Sequence, residues 1–363
     1  MKQGWEYKKL GEVCHITMGQ SPDGNSINDN EGVEFHQGKT CFGEQTLGVS
    51  NLFSNAPVKL AEAHSVLLCV RAPVGYPNIT ERKICIGRGL CALYAKEDID
   101  NKFLFYSLLS KQSHFEKNAT GSTFKAISSK VVSNTEIPIP PKSTQLAIVS
   151  ELDKINELIR LKKEQLKDYD DLAQSIFYEM FGDPVENEKE WEVKQLKDTC
   201  DELFAGGDVP KNNYSKTKEG NYIYPIYTNG IVNEGLYGYT DIIRVNKDSL
   251  TISARGTIGA VFKRKANYYP AIRLITIVPQ DSLLDLDYTM FALKGICIEG
   301  AGGTIPQLTV PTLKLYNIQV PPLPLQRLFA QRIEQIEHQK SEVAKAITDL
   351  ETLLASRMQH WFE

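Results

Sequence analysis

No run of apolar residues approaches the roughly 18 that a membrane-spanning helix needs; a run such as Val66–Val70 stops at Arg71. The N-terminal Met1-Lys2-Gln3-Gly4-Trp5-Glu6 lacks the apolar core of a signal peptide, so a soluble, cytoplasmic chain is expected. Cysteine is sparse and odd in number: Cys14, Cys41, Cys69, Cys85, Cys91, Cys200 and Cys297. None forms a Cys-x-x-Cys pair, which argues against a zinc ribbon or a redox motif. Several stand in apolar runs, as in Leu67-Leu68-Cys69-Val70 and Ile84-Cys85-Ile86, and read as small buried hydrophobes. An excess of one charge is missing too. With 41 basic and 45 acidic side chains the net charge is −4, which excludes coating nucleic acid by bulk positive charge but not a local basic patch.

Catalytic signatures are equally scarce. The six histidines (His15, His36, His64, His114, His338 and His360) show no metal-binding spacing, and only His36 stands near a loop glycine and lysine. No Walker A loop and no Gly-x-Gly-x-x-Gly opens a helix after a strand. Gly87-Arg88-Gly89 and Gly300-Ala301-Gly302-Gly303 are too short to count as phosphate loops. An Asp/Asn-Pro-Pro-Tyr/Phe run of the kind amino-methyltransferases use is absent. Chemistry, if any, belongs to a partner.

What the chain does have is a duplication. Its 363 residues suit two or three domains, and 42% apolar with 24% charged residues can bury real cores. Trp5-Glu6-Tyr7-Lys8-Lys9-Leu10 recurs as Trp191-Glu192-Val193-Lys194-Gln195-Leu196, an offset of 186. Arg71-Ala72-Pro73-Val74-Gly75 recurs as Arg255-Gly256-Thr257-Ile258-Gly259, an offset of 184. Gly121-Ser122-Thr123-Phe124 recurs as Gly302-Gly303-Thr304-Ile305, and Ile137-Pro138-Ile139-Pro140-Pro141 as Ile318-Gln319-Val320-Pro321-Pro322, both at 181, as does Gln145 at Gln326. A slowly falling offset means one duplicated domain whose loops differ in length, not a solenoid with its period of roughly 20–50 residues.

Each half ends in a helix announced by prolines, which are tolerated just before or within a first turn. Leu152, Ile155, Ile159, Leu166, Tyr169, Ala173 and Ile176 follow the first pair at alternating steps of three and four, interrupted by Lys162. Ile333, Ile336, Val343, Ile347, Leu350, Leu354 and Trp361 repeat the pattern, interrupted by Lys340 and Arg357. Such periodicity describes a coiled-coil seam, and two seams in one chain most simply pack on each other. The first helix is expected over about Ser143–Phe181, ending at Gly182-Asp183-Pro184, and the second from about Leu325 to the C-terminus. A helix of that length spans roughly 58 Å. The remaining segments carry short strand-like runs, among them Ala92–Tyr94, Tyr222–Tyr227, Leu250–Ser253 and Leu274–Val278, and one helical stretch each, Asn101–Ser113 and Leu286–Lys294. The fold class is α+β, with an internal pseudo-two-fold repeat. Two similar modules, 1–141 and 184–322, are separated by two long antiparallel helices, 142–183 and 323–363, forming a coiled coil.

The repeated loops pair a cation with glycines: Gln37-Gly38-Lys39, Arg71 before Gly75, Arg255-Gly256, and Lys125 after Gly121-Ser122-Thr123-Phe124. Thr304 and Gln307 lie in the second copy of the last loop, Asn229 in the turn Thr228-Asn229-Gly230, and Lys263-Arg264-Lys265 forms a compact basic patch. Small residues let backbone approach a phosphate, while Arg, Lys, Asn and Gln supply donors to phosphates and base edges. Lys39, Arg71, Lys125, Asn229, Arg255, Lys263, Arg264, Thr304 and Gln307 are therefore candidate DNA contacts. Equally, glycines in loops serve turns and the cations can be merely solvated. Residues 1–141 carry 15 basic and 14 acidic side chains and residues 184–323 carry 15 and 16, so neither module is basic overall.

The two Trp-Glu-x-x-x-Leu motifs, the pre-helix Pro-Pro-x-x-x-Gln in both halves, Phe177-Tyr178-Glu179-Met180-Phe181-Gly182-Asp183-Pro184 and Arg255-Gly256-Thr257-Ile258-Gly259 occur in this order over essentially the whole chain. In this the sequence resembles the specificity subunit of type I restriction–modification systems. The first module departs from the pattern in having Arg71-Ala72-Pro73-Val74-Gly75. The resemblance implies two target-recognition domains, each reading one half of an asymmetric, bipartite duplex DNA target, spaced by the two helices. It implies docking of modification subunits, two of them, which are adenine-N6 methyltransferases. A restriction subunit with translocase and nuclease activity would join them. Under it S-adenosylmethionine, ATP and Mg belong to those partners, and this chain holds no cofactor or metal. Half-sites one helical turn apart, roughly 34–36 Å, would suit such a spacer. The rival reading is a non-catalytic interaction or spacer protein whose modules bind protein, favoured by their neutral charge. A fused restriction–methyltransferase is disfavoured because the chain opens directly on a module and shows no catalytic region.

Overall fold

The computed structural model describes residues 5–121, 125–296, 298–300 and 306–362. They fall into two compact units, Met1–Lys162 with Ala346–Glu363, and Lys163–Lys345. Each unit is one module plus a stretch of both long helices.

In the first unit β1 (Glu6–Lys9) leads into β2 (Cys14–Met18), followed by β3 (Val33–His36), β4 (Val66–Cys69), β5 (Pro77–Ile79), β6 (Ile84–Ile86), β7 (Leu90–Ala95) and β8 (Glu136–Ile139). The main sheet is antiparallel, in the order β2-β7-β4-β5. Its inner strand β4 is buried on both faces, which is why Val66-Leu67-Leu68-Cys69 reads as a continuous apolar run and not an alternation. A smaller sheet pairs β3 in parallel with β6, Phe35 opposite Cys85. The Trp-Glu motif and the pre-helix prolines meet as β1 pairs with β8, Glu6 opposite Ile139.

The second unit repeats this plan. Its strands are β9 (Val193–Gln195), β10 (Cys200–Ala205), β11 (Tyr224–Tyr227), β12 (Leu236–Thr240), β13 (Ser249–Ile252), β14 (Val261–Arg264), β15 (Tyr269–Pro270), β16 (Ile275–Pro279) and β17 (Asn317–Gln319). Its four-stranded sheet is ordered β10-β16-β13-β14, the same order as in the first unit. β9 pairs with β17, and β11 pairs in parallel with β15.

The long helices run over Lys142–Phe181 and Leu323–Phe362. The first ends where Gly182 turns into the left-handed region at φ +77 and donates back to the Tyr178 carbonyl at 2.8 Å. In the second unit Lys340 bonds Asp170 and Arg332 approaches Met180, so the helices run antiparallel. In the first unit Arg357 and Trp361 both bond Glu151. Every expected seam residue is buried or half-buried, with Leu152, Ile155, Ile159, Ala173, Ile333, Ile336, Val343 and Ile347 fully so. The seams also enter the module cores: Phe177, Phe181, Phe329 and Tyr288 interlock with ring centres 4.7–5.8 Å apart.

Boundaries move slightly from those read in sequence. The stretch expected as one helix over Asn101–Ser113 is two, Asn101–Ser110 and Gln112–Lys117, broken at Lys111. The other short helix covers Leu286–Gly295. Both principal short helices start on an aspartate cap, Asp100 accepting from Phe103 N–H and Asp285 from Asp287 and Tyr288 N–H. Cys14, Cys69, Cys85 and Cys91 are buried as expected, Cys41 and Cys200 are half-buried, and Cys297 lies outside the described residues. Burial pushes the Cys200 thiol up to about 11, so it stays protonated at neutral pH. Among the described residues no helix is long and apolar enough to cross a membrane.

Candidate nucleic-acid interface

The duplicated loops superpose in their hydrogen bonding. After β4 the chain loops through Arg71 and closes when Gly75 N–H donates to Cys69 O at 2.8 Å, with Gly75 at φ +88. After β13 it loops through Arg255 and closes when Gly259 N–H donates to Ser253 O at 3.0 Å, with Gly259 at φ +84. Both turns need a left-handed residue six positions after the acceptor, which is why glycine is kept at that place. Arg71 and Arg255 thus occupy one position of the plan. A second loop lies alongside each: Ile127 N–H bonds Val70 O at 3.0 Å, and Leu308 N–H bonds Ala254 O at 2.9 Å. This places Lys125 beside Arg71, its carbonyl accepting from Ala72 N–H. It also sets Gln307 where the first module has Ala126.

That one difference changes the chemistry. Arg255 Nε and Nη2 both donate to Gln307 Oε1, at 3.1 and 2.9 Å, so the two residues form one composite group of N–H donors. Arg71 faces Ala126 instead, and among the described residues its side chain makes no hydrogen bond or ion pair. A cavity of about 590 Å³ opens beside it, lined among others by Gln37, Lys39, Asn51, Arg71 and Arg88. Lys39 lies over the Tyr76 ring, its Nζ 4.5 Å from the ring centre. Next to the lining residues Phe35 and His36, the Glu34 carboxylate accepts from both Nε and Nη2 of Arg82, from Ser50 N–H at 2.7 Å and from His36 Nε2 at 2.8 Å. Burial alone would raise its pKa, but these donors outweigh it and hold Glu34 down to about 2. Burial holds the His36 pKa below the usual imidazole range, so the ring is neutral and braces the strand that delivers Gln37-Gly38-Lys39.

In the second module Asn229 ties three loops together. Its Oδ1 accepts from Ala254 N–H at 2.7 Å and its Nδ2 donates to Ile272 O at 2.5 Å, while its own carbonyl accepts from Ser253 Oγ at 3.1 Å. The amide expected to face DNA is engaged with its own scaffold. The basic patch is corrected more strongly. Arg264 is turned inward, its side chain 1% exposed. Its Nε donates to Thr251 Oγ1 at 2.9 Å, its Nη1 and Nη2 to the Glu234 carboxylate and carbonyl, and its guanidinium stacks 3.8 Å from the Tyr227 ring centre. A strand alternates faces, so Lys263-Arg264-Lys265 could not present three cations together. Lys263 is held by both oxygens of Asp287 at 2.7 and 2.8 Å and Lys265 by Asp248 at 2.9 Å, so neither is a free phosphate donor. Thr304 lies outside the described residues.

Two arginines escaped the sequence reading. Leu90 N–H donates to Gly87 O and Leu274 N–H to Ala271 O, which makes the turns Gly87-Arg88-Gly89 and Ala271-Ile272-Arg273 equivalent. Each sits beside the corresponding Arg71 or Arg255 loop and carries one exposed arginine, displaced by one residue. Among the described residues neither guanidinium is paired. For Arg88 the signal was a cation between glycines, too short to stand out as a motif, whereas Arg273, between Ile272 and Leu274, carried none.

The repeated glutamine of Pro-Pro-x-x-x-Gln serves the joint between helix and module. Gln145, buried, accepts from Asp100 N–H at 2.9 Å and donates to Asp98 O and Pro140 O at 3.0 Å each. Gln326, buried, accepts from Asp285 N–H at 2.8 Å and donates to Leu283 O at 3.0 Å and Pro321 O at 2.7 Å. Both networks bind the cap of the module's short helix to the start of a long one.

Against known proteins, the model of the type I restriction modification DNA specificity domain matches residues 2–168 and 188–351. A type I specificity subunit of Mycoplasma pneumoniae is 32% identical over 90% of this chain and 88% of its own. A type I restriction enzyme specificity subunit of Methanocaldococcus jannaschii is 41% identical over 45% of this chain and 39% of its own length. Among solved structures, a type I restriction-modification S subunit from M. genitalium covers 100% of this chain at 16% identity and a TM-score of 0.60. A chain from a study of type I system assembly and conformational transition covers 99% at 21% identity and 0.66.

Proposed function

The chain belongs to the type I restriction modification DNA specificity family, and on that premise we propose that its two modules each read one half of an asymmetric, bipartite duplex target. The observation that carries this reading is the pair of equivalent loop sets with unequal tips. The first offers Arg71, Arg88 and Lys39 around a cavity; the second offers the Arg255–Gln307 group and Arg273. Guanidinium forks and amides are the donors that discriminate guanine and adenine edges in the major groove. Tips of different chemistry on one scaffold imply different half-sites. A family of DNA specificity subunits also makes the neutral overall charge unremarkable, because what matters is the exposed arginines at the loop tips and not the total.

In this reading the chain recognises and its partners react. Two adenine-N6 methyltransferase subunits carrying S-adenosylmethionine would dock on it, and a restriction subunit using ATP and Mg would complete the assembly in the cytoplasm. The test is competition binding with every base pair of the selected target substituted in turn. Arg255→Ala should lower discrimination by about 1–3 kcal/mol at positions of one half-site, and Arg71→Ala at positions of the other. Relaxation of both halves by either variant would refute the division of labour.

A further inference from the structure

We propose that the second module reads thymine methyl groups through three exposed β-branched side chains, Ile231, Val232 and Ile272, which makes this apolar tip a specificity determinant of its half-site. The proposal rests on the DNA-reading role argued above. Ile231, Val232 and Ile272 are 52%, 78% and 41% exposed. Single exposed aliphatics are ordinary on a protein surface, but Ile272 and the turn that follows Val232 are held at a cost in backbone conformation. Asn233 and Glu234, directly after Val232, stand at φ +48 and +52, and Ile272 itself at φ +54. Asn tolerates the left-handed region, but Glu adopts it rarely and a β-branched residue least of all.

Two polar anchors keep that conformation. The buried Arg264 grips Glu234 by its carboxylate and its carbonyl, fixing the turn that presents Ile231 and Val232. Asn229 holds the Ile272 carbonyl with one end of its amide and the Ala254 N–H, next to Arg255, with the other. Asn229, two residues before Ile231, therefore ties the apolar tip to both arginine-bearing loops. Strained backbone retained by dedicated anchors marks a functional surface. Its occupant is duplex DNA, because Arg255 and Arg273 flank the tip with positive charge, and the thymine methyl is the apolar group that base edges offer in the major groove. In the first module Arg88 takes the place of Ile272, so the two half-sites would be read by different chemistry at equivalent turns.

The test removes only the methyl. Duplexes selected from a random pool by the full-length chain are remade with deoxyuridine replacing each thymine in turn. The wild-type chain should lose about fourfold in affinity at one or more thymines of a single half-site, the value of one buried methyl group. Both Ile231→Ala/Val232→Ala and Ile272→Ala should lose part of that preference while still selecting the target over random DNA. Indifference of the wild-type chain to every deoxyuridine overturns the proposal, as does an unchanged thymine preference in both variants. So does loss of methyltransferase-subunit capture with the preference intact, which would make the tip a protein contact. Failure of the wild-type chain to select any sequence would instead overturn the DNA-reading role itself.

Discussion

Replacing Gln326 with Ala is the sharpest probe of how a long helix is joined to its module. The side chain is fully buried and makes three hydrogen bonds, accepting from Asp285 N–H and donating to Leu283 O and Pro321 O. Truncation leaves one donor and two acceptors without partners. With roughly 1 kcal/mol for each bond lost and more for any group that water cannot reach, the second unit should lose about 3 kcal/mol. For a body of roughly 150–250 residues that is a fall in Tm of about 6–12 °C. Native-state hydrogen exchange read by mass spectrometry locates the effect. Peptides over 281–295 should exchange on the order of 100-fold faster, while 96–110 in the first unit stays unchanged. Gln145→Ala should give the mirror image. Gln326→Glu separates bonding from packing, because it keeps the volume but sets an oxygen against two carbonyls. A buried carboxyl there must stay protonated, its folded pKa raised, so the variant should be most stable in acid and weaken as pH rises through that value. Exchange that responds equally in both units, or changes less than twofold, would refute the reasoning.

Ile159 and Ile347 are both buried in the first unit, and replacing them together with Asp should lower the Tm by 10 °C or more, since unpaired buried carboxylates cost several kcal/mol; an unchanged melting curve would deny the seam. Glu34, held at about 2, contributes stability that is complete above the unfolded carboxylate range and lost as pH falls toward 2. Glu34→Gln should therefore destabilise the first unit by up to about 3 kcal/mol at pH 7, with the gap to wild type closing between about pH 4.5 and 2 in denaturation curves. Arg273→Ala should reduce the salt dependence of DNA binding by about one unit of slope. Lys263→Ala, already neutralised by Asp287, should leave that slope unchanged and act on thermal stability alone.

Periodicity and duplication carried most of the architecture. The spacing of Leu152, Ile155, Ile159 and of Ile333, Ile336, Val343 is a property of the chain itself, because a stripe at steps of three and four can be buried only along a helix. The offset repeats of Trp5 and Trp191, Gly75 and Gly259, and Gln145 and Gln326 likewise marked equivalent structure before any fold was known. Composition around a turn, by contrast, could not say which way a cation faces. Lys263-Arg264-Lys265 looked like a patch, yet strand alternation buried Arg264 against Tyr227 and carboxylates claimed its two neighbours. Arg255 and Gln307, 52 residues apart, became one group only because Leu308 pairs with Ala254, and the turns that carry Arg88 and Arg273 became equivalent only through the carbonyls that close them. A helix stripe depends on neighbours three and four residues away, and those the sequence contains. The partners of a loop side chain come from distant strands, and the register that brings them together exists only in the folded sheet.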